Sequence, residues 1–319
     1  MERALSSGVR GAVALVTGAT GFLGTHLVRA LSSSGARVHA ISRVARDGRD
    51  ERAIWHRADL VDRSEVAAVF EATRPDLVFH LAAYGAQPDE RDSEAMFDTN
   101  VLGSWNVWTS MTPSVRRLIM AGTPAEYGPQ SEPARERSFH APVGAYGATK
   151  HAAVVLIAGL ARAAHRETVI VRPYGAYGPG DDSQRVIPSV IRGLLRGETV
   201  AVTDGSARRD FLYIDDHIDA LIRAATTPSL APGATFNIGS GEGIALRDAF
   251  SQIAAAVNGP GSLALGAREY RSDDLRDIIA EIEVARRELG FEPRTPFADG
   301  IARTAAWMRQ HLASETSTR

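Results

Sequence analysis

Short apolar or β-branched runs alternate with longer stretches of helical periodicity along the first half of the 319-residue chain. Ala12–Val16 reads as a buried strand, Phe22–Ser33 as a helix and Val38–Ile41 as a second strand. The alternation continues with a helix over Ser64–Thr73, a strand over Leu77–Ala82, a long helix over Asp92–Met111 and a strand over Leu118–Ala121. A helix over Tyr146–Ala164 and a strand over Thr168–Arg172 complete it. Strands separated by helices need right-handed crossovers, which make the strands parallel in one sheet. The expected fold is α/β, a doubly wound parallel sheet. After Tyr174 the texture changes to Gly/Pro-rich loops and shorter elements, as in a smaller, mixed C-terminal lobe that carries a substrate, and Phe236–Ile238 returns as a late strand of the first sheet. This divides the chain into a nucleotide-binding unit over 11–174, with a return near 211–239, and a lobe made of 175–210 and 240–311. Residues 1–10 and 312–319 are polar and expected to fray.

Composition narrows the function classes. Hydrophobic residues at 44% and charged residues at 23% are the proportions of an ordinary globular protein. A net charge of −2 provides no field to hold nucleic acid or an anionic membrane. Cysteine is absent, which excludes disulfides, thiolate metal sites and a cysteine nucleophile, and suits a reducing cytoplasm. The longest apolar run, Ala152 to Ala161, is half of a bilayer span, and no apolar stretch of a signal peptide precedes Val13. Lysine and arginine total 36 and the chain holds one lysine, Lys150, so the other 35 are arginine. A lone lysine in such a chain marks a place where a compact, titratable ammonium is needed and a guanidinium does not serve.

The first strand runs into Thr17-Gly18-Ala19-Thr20-Gly21-Phe22-Leu23-Gly24, and a helix follows. Gly18 and Gly21 let the backbone turn and approach a pyrophosphate, while Gly24 lets helix and strand pack closely. The phosphates then meet the free N–H groups and positive end of the helix. In this context the fold is Rossmann-like. A carboxylate ending the second strand would bind the 2′-hydroxyl of NAD; the chain has Ser42 and Arg43 there, with Arg46 behind. A hydroxyl and a guanidinium suit a phosphate, so NADP(H) is the expected cofactor and NAD(H) the second choice. Tyr146 and Lys150 stand four residues apart at the start of a helix, one turn apart on one face. An ammonium beside a phenol lowers the phenol's pKa, and a tuned tyrosine passes a proton as hydride moves.

These motifs together resemble the extended short-chain dehydrogenase/reductase family of NDP-sugar epimerases, dehydratases and ketoreductases, over roughly Val13 to Trp307. The resemblance implies a cofactor set of Gly18, Thr20, Gly21, Phe22, Leu23, Gly24, Ser42, Arg43, Asp59, Leu60, Leu81, Ala82, Ala83, Asn100, Tyr146, Lys150 and Arg172. Asp59-Leu60 is similar to the acidic pair near the adenine, and His80-Leu81-Ala82-Ala83 to the strand end lining the nicotinamide. Thr123, four residues before Tyr127, falls where the family has its catalytic Ser/Thr, and Tyr146 and Lys150 match the acid/base tyrosine and its lysine. The implied substrate set is Tyr84, Thr123, Gly175, Arg209 and Arg271, the two arginines matching positions that clamp nucleotide phosphates. Where the family commonly has an asparagine, this chain has Gly175.

Three branches of the family are separable on residues. Dehydratases carry a glutamate two residues before the motif tyrosine; here Pro124 and Ala125 follow Thr123, and Glu126 is one position off. Epimerases usually have an acidic residue after the second strand, unlike Ser42-Arg43. Glu126-Tyr127-Gly128 resembles GDP-4-keto-6-deoxymannose reductases, and Tyr177-Gly178-Pro179-Gly180-Asp181-Asp182 with Arg209-Asp210-Phe211 resembles CDP-abequose-type 4-ketoreductases. The expected activity is NADPH-dependent 4-keto reduction of a nucleotide-activated 4-keto-6-deoxyhexose, with an NAD-dependent NDP-sugar 4-epimerase as the alternative. Asp215, Asp216 and His217, read as successive residues of one strand, point to opposite faces and do not converge on an ion, so no metal is expected. The resemblance also implies a homodimer through the helices near 92–111 and 146–164, whose Val101, Leu102, Trp105, Val154, Val155 and Leu156 suit either an interface or a core.

Overall fold

The computed structural model describes residues 8–44, 51–87, 89–181, 184–270 and 275–317. In it the alternating pattern becomes β1 (Val13–Thr17), α1 (Phe22–Ser33), β2 (Arg37–Ser42), β3 (Ala53–Arg57), α2 (Arg63–Thr73) and β4 (Leu77–His80). It continues with α3 (Ser93–Phe97), α4 (Gly103–Ser110), β5 (Arg117–Ala121), α5 (Gly144–Ala164) and β6 (Thr168–Pro173). A return strand, Ala234–Ile238, adds to β6. All seven strands are parallel, in the order return strand–β6–β5–β4–β1–β2–β3. The order reverses between β1 and β4, so a crevice opens there at the carboxyl ends of the strands, where this architecture binds ligands.

Two apolar layers cover the sheet. Leu27, Val28 and Leu31 of α1 pack with Ile218 and Leu221 of the helix Ile214–Thr226 on one face. Val66 and Phe70 of α2, Val107 and Trp108 of α4, and Ile157 and Ala161 of α5 pack on the other. Parallel strands buried on both faces read as continuous apolar runs, and for that reason β1, β4, β5 and β6 were legible in the sequence.

Four expectations change. The edge strand β3 is not predicted by the pattern, because Ala-Ile-Trp-His-Arg is half exposed and has neither an apolar run nor clean alternation. The expected helix over Asp92–Met111 is divided by a π-helical turn over Asp98–Leu102. The widened turn carries Asn100 inward, fully buried, and the Ser104 hydroxyl donates to the Asn100 carbonyl at 2.6 Å. Asp215, Asp216 and His217 lie not on a strand but in the first turn of the helix Ile214–Thr226. There Asp216 accepts from the backbone of Arg294 and Thr295, and His217 bonds the Tyr174 carbonyl, so these two side chains serve separate ties. Finally, part of the stretches expected to fray is ordered: a helix spans Phe297–Ser317, and near the start Val9 is fully buried, while residues 1–7, 318 and 319 lie outside the described residues.

Candidate active site

The glycine-rich loop leaves β1 and enters α1 with Gly21 as the cap and no side chain bonded to the first-turn N–H groups. Those donors are therefore available to an anion. The third glycine is dictated by contact: a Cβ on Gly24 would lie 2.1 Å from the Gly18 carbonyl. This uncapped, close-packed cradle fits the pyrophosphate of a dinucleotide. The loop is fastened to the end of β4 by Leu81 N–H to the Thr17 carbonyl and by Ala82 N–H to the Thr17 hydroxyl, both at 3.3 Å. His80 bridges the Thr17 and Ser104 hydroxyls at 2.7 and 2.9 Å. Burial, with the Lys150 ammonium nearby, pushes its pKa down to about 3, so the imidazole is neutral.

At the end of β2 the Ser42 hydroxyl donates to the Val44 carbonyl at 3.0 Å, closing a local turn. Arg43 follows it, and Arg57 at the end of β3 lies in register with Ser42. No hydrogen bond or ion pair engages either guanidinium among the described residues. Arg57 was missed in the sequence because β3 was missed. Arg46 and Arg271 lie outside the described residues. On the adenine side, Asp59 closes a turn by accepting from Val61 N–H, while Asn106 holds the carbonyls of Leu60 and Val61.

The catalytic candidates converge from two elements. Thr123 leaves β5, and Tyr146 and Lys150 occupy successive turns of α5. The Thr123 side chain stands beside the Tyr146 phenol. Burial raises the phenol's pKa, and Thr123 acts to lower it but only partly offsets burial, so the phenol holds its proton at neutral pH. Lys150 is buried, donates to the Ala121 carbonyl at 2.6 Å, and has its pKa pushed down by burial to about 8. The expected direct lowering of the phenol by the ammonium is replaced here by a lysine turned to the strand end. Asn100 accepts from Tyr84 N–H, donates to the Tyr84 carbonyl at 2.9 Å and to the Thr149 hydroxyl at 3.0 Å, and so clamps the Tyr84 loop to α5.

Arg172 is buried, with its Nε and Nη2 on Glu126 and its Nη1 on the Tyr127 hydroxyl. Burial raises the Glu126 pKa, but bonding to His151 and Arg172 outweighs it and holds the carboxyl at about 2. A charge interrupting an apolar strand, as in Thr168–Pro173, is the sequence signal for such a pair. Glu126, His140 and His151 lie close enough to suggest a metal centre. The two imidazoles are stacked, with centroids 4.6 Å apart and planes 15° apart. Lone pairs lie in the ring planes, so stacked rings do not aim at one ion, and the carboxylate is already engaged by Arg172 and Thr123.

Arg209 lies on the short strand Arg208–Arg209, outside the seven-stranded sheet, and donates to the carbonyls of Arg208 and Arg276. Gly175 has φ +26°, and a Cβ there would lie 2.0 Å from the Asp210 carbonyl. An asparagine does not fit this backbone path. Gly175→Asn is expected to destabilise the protein by about 3 kcal/mol or more, seen as a lower urea midpoint. An unchanged midpoint would mean that the two segments separate at little cost.

The chain matches the NAD dependent epimerase/dehydratase family over residues 14–239. It is 29% identical to the UDP-glucose 4-epimerase of Mycolicibacterium smegmatis, over 92% of this chain and 98% of that one. It is also 29% identical to the dTDP-4-dehydro-6-deoxy-D-allose reductase of Streptomyces bikiniensis, over 94% and 97%. The solved structure of MoeE5 in complex with UDP-glucuronic acid and NAD superposes with a TM-score of 0.85 at 31% identity, covering 95% of this chain and all of that one.

Proposed function

Because the chain belongs to the NAD dependent epimerase/dehydratase family, we propose that it reduces the 4-keto group of a nucleotide-activated 4-keto-6-deoxyhexose with NADPH, in the cytoplasm. The observation that carries this reading is the convergence of Thr123, from the end of β5, with Tyr146 and the buried Lys150 on successive turns of α5. A bound nicotinamide dinucleotide supplies hydride at the sugar C4. Tyr146 donates its proton to the oxygen that gains charge, and Thr123 hydrogen-bonds that oxygen. Lys150 would hold the ribose hydroxyls of the bound dinucleotide. The Gly18–Gly24 loop and the start of α1 would hold the pyrophosphate, Asp59 and Leu60 the adenine, and Leu81, Ala82, Ala83 and Asn100 the nicotinamide side. In this reading residues 11–174 with the 211–239 return form the cofactor domain, 175–210 with 240–311 form the substrate lobe, and Tyr84 of the first and Arg209 of the second meet the sugar nucleotide.

NADPH is preferred on the two unengaged guanidiniums, Arg43 and Arg57, flanking Ser42 with no carboxylate at the end of β2. Arg43→Ala is expected to weaken NADPH binding about tenfold or more, as loss of a charge-assisted bond does, and to leave NADH binding unchanged in a fluorescence titration. Equal loss for both cofactors would remove the 2′-phosphate from the reading. The second reading, an NAD-dependent NDP-sugar 4-epimerase, is favoured by the epimerase among the relatives and the NAD in the MoeE5 complex. Tightly held, non-exchanging NAD released from the denatured protein would select it. A homodimer through α3, α4 and α5 is proposed on the exposed Phe97, Trp105 and Val155, while Val154 belongs to the core.

A further inference from the structure

Glu126 stands outside the reacting trio yet touches the scaffold around all of it. Its carboxylate is fully buried. Oε1 accepts the Thr123 backbone N–H at 2.8 Å, and Oε2 accepts from Arg172 Nε at 3.1 Å and Nη2 at 2.8 Å. His151 Nδ1 lies 3.5 Å from the same Oε2. Thr123 leaves β5, Arg172 ends β6, and His151 follows Lys150 on α5, so one carboxylate ties two strand ends to the helix that carries Tyr146 and Lys150.

The local geometry gives this tie a consequence. Ala125 N–H donates to the Thr123 Oγ1 at 3.3 Å, which together with the Glu126 bond closes a capping box over Pro124–Glu126. One lone pair of the hydroxyl is thereby occupied, which restricts the orientation of the group beside the phenol. Removing the carboxylate would leave the buried Thr123 N–H without an acceptor. Electrostatics adds to this. Glu126 favours the charged form of Lys150 and the neutral form of Tyr146. The other charged or titratable groups packed around the carboxylate are Arg172 from β6, His151 from α5, and Tyr127 and His140, which stack between them.

We propose that Glu126 is a positioning residue: its carboxylate fixes Thr123 against the Tyr146 phenol and provides the negative charge facing the buried Lys150 ammonium. This rests on the reading that Tyr146 moves the proton. The test is Glu126→Gln, which keeps the length and an acceptor for Thr123 N–H but removes the charge. Steady-state kinetics with an NDP-4-keto-6-deoxy sugar are paired with an ultraviolet titration of the Tyr146 phenol, taken as a difference against Tyr146→Phe in each background. The expected result is a kcat lowered about tenfold or more at nearly constant KM, with the phenol titrating at lower pH, because loss of a nearby negative charge favours loss of the proton. Should the unpaired Arg172 prevent folding, Glu126→Gln/Arg172→Gln replaces the pair by neutral amides, and the same two changes are expected. A folded variant with wild-type kcat, or one whose phenol titration does not move, would overturn the proposal. Full activity in Tyr146→Phe itself would instead overturn the proton-transfer reading, while the Glu126 effect on the phenol is still read in the titration.

Discussion

Tyr146→Phe is expected to lose about 10²–10⁴-fold in turnover, the usual contribution of a positioned proton donor, while still binding NADPH. The phenol is partly buried beside Thr123, and burial keeps it protonated at neutral pH. Within the trio the Thr123 hydroxyl is a far weaker acid, and the Lys150 ammonium, though the stronger acid, is turned to the Ala121 carbonyl, which leaves the phenol as the donor to a charge developing on a substrate oxygen. The dinucleotide cradle is built from the glycine loop and α1 and does not depend on the hydroxyl. Measured kcat with a 4-keto-6-deoxy nucleotide sugar, beside a fluorescence titration with NADPH, separates the two effects. Near-full turnover in the variant would refute the proton-donor role. Loss of cofactor affinity in parallel with turnover would show that the hydroxyl serves cofactor binding rather than proton transfer.

Acid is expected to unfold the protein well above the range in which its carboxylates protonate. His80 and His217 are buried, and burial pushes both pKa values from 6.5 down to about 3. In the unfolded chain they protonate below about pH 6.5, and in the folded protein they stay neutral until about pH 3. The folded-state pKa is the depressed one, so the stability they contribute is complete above pH 6.5 and is lost as pH falls toward 3. The slope is about 1.4 kcal/mol per pH unit for each histidine, or about 4 kcal/mol for the two at pH 5, a large part of a typical domain's stability. Urea unfolding at pH 7.5, 6 and 5 measures it. His80→Asn should flatten the dependence by about half. A midpoint independent of pH over this range would mean that the histidines charge in the folded state.

The two imidazoles illustrate what could and could not be read from the chain. That His80 lies in an apolar strand was visible in the expected run Leu77–Ala82, which in the structure ends at His80. That it is neutral was not, because its state depends on Thr17 and Ser104, contributed by segments far away in sequence. Strands buried on both faces are legible as apolar runs, and β3 was not, because an edge strand needs no such run. The π-helical turn at Asp98–Leu102 escaped because the pattern of apolar positions does not register one extra residue in a turn; the inward clamp of Asn100 on Tyr84 and Thr149 gives it a purpose.

The sequence by itself determined the parallel α/β architecture, the glycine loop and the Tyr146–Lys150 pair, since each is a local pattern (a period, a spacing or a rare residue type), whereas Thr123 was picked out only by the family resemblance. Tertiary structure alone decided which charges are engaged. Arg172 pairs with Glu126 in the core while Arg43 and Arg57 stand unengaged at the strand ends, and a chain with 35 arginines gives no sign of which is which. It also decided that Gly175 cannot be an asparagine, because the obstacle is the Asp210 carbonyl, brought there by a separate segment. Burial and contact between distant segments set the energies of charged groups, and those are properties of the packed molecule rather than of any stretch of its chain.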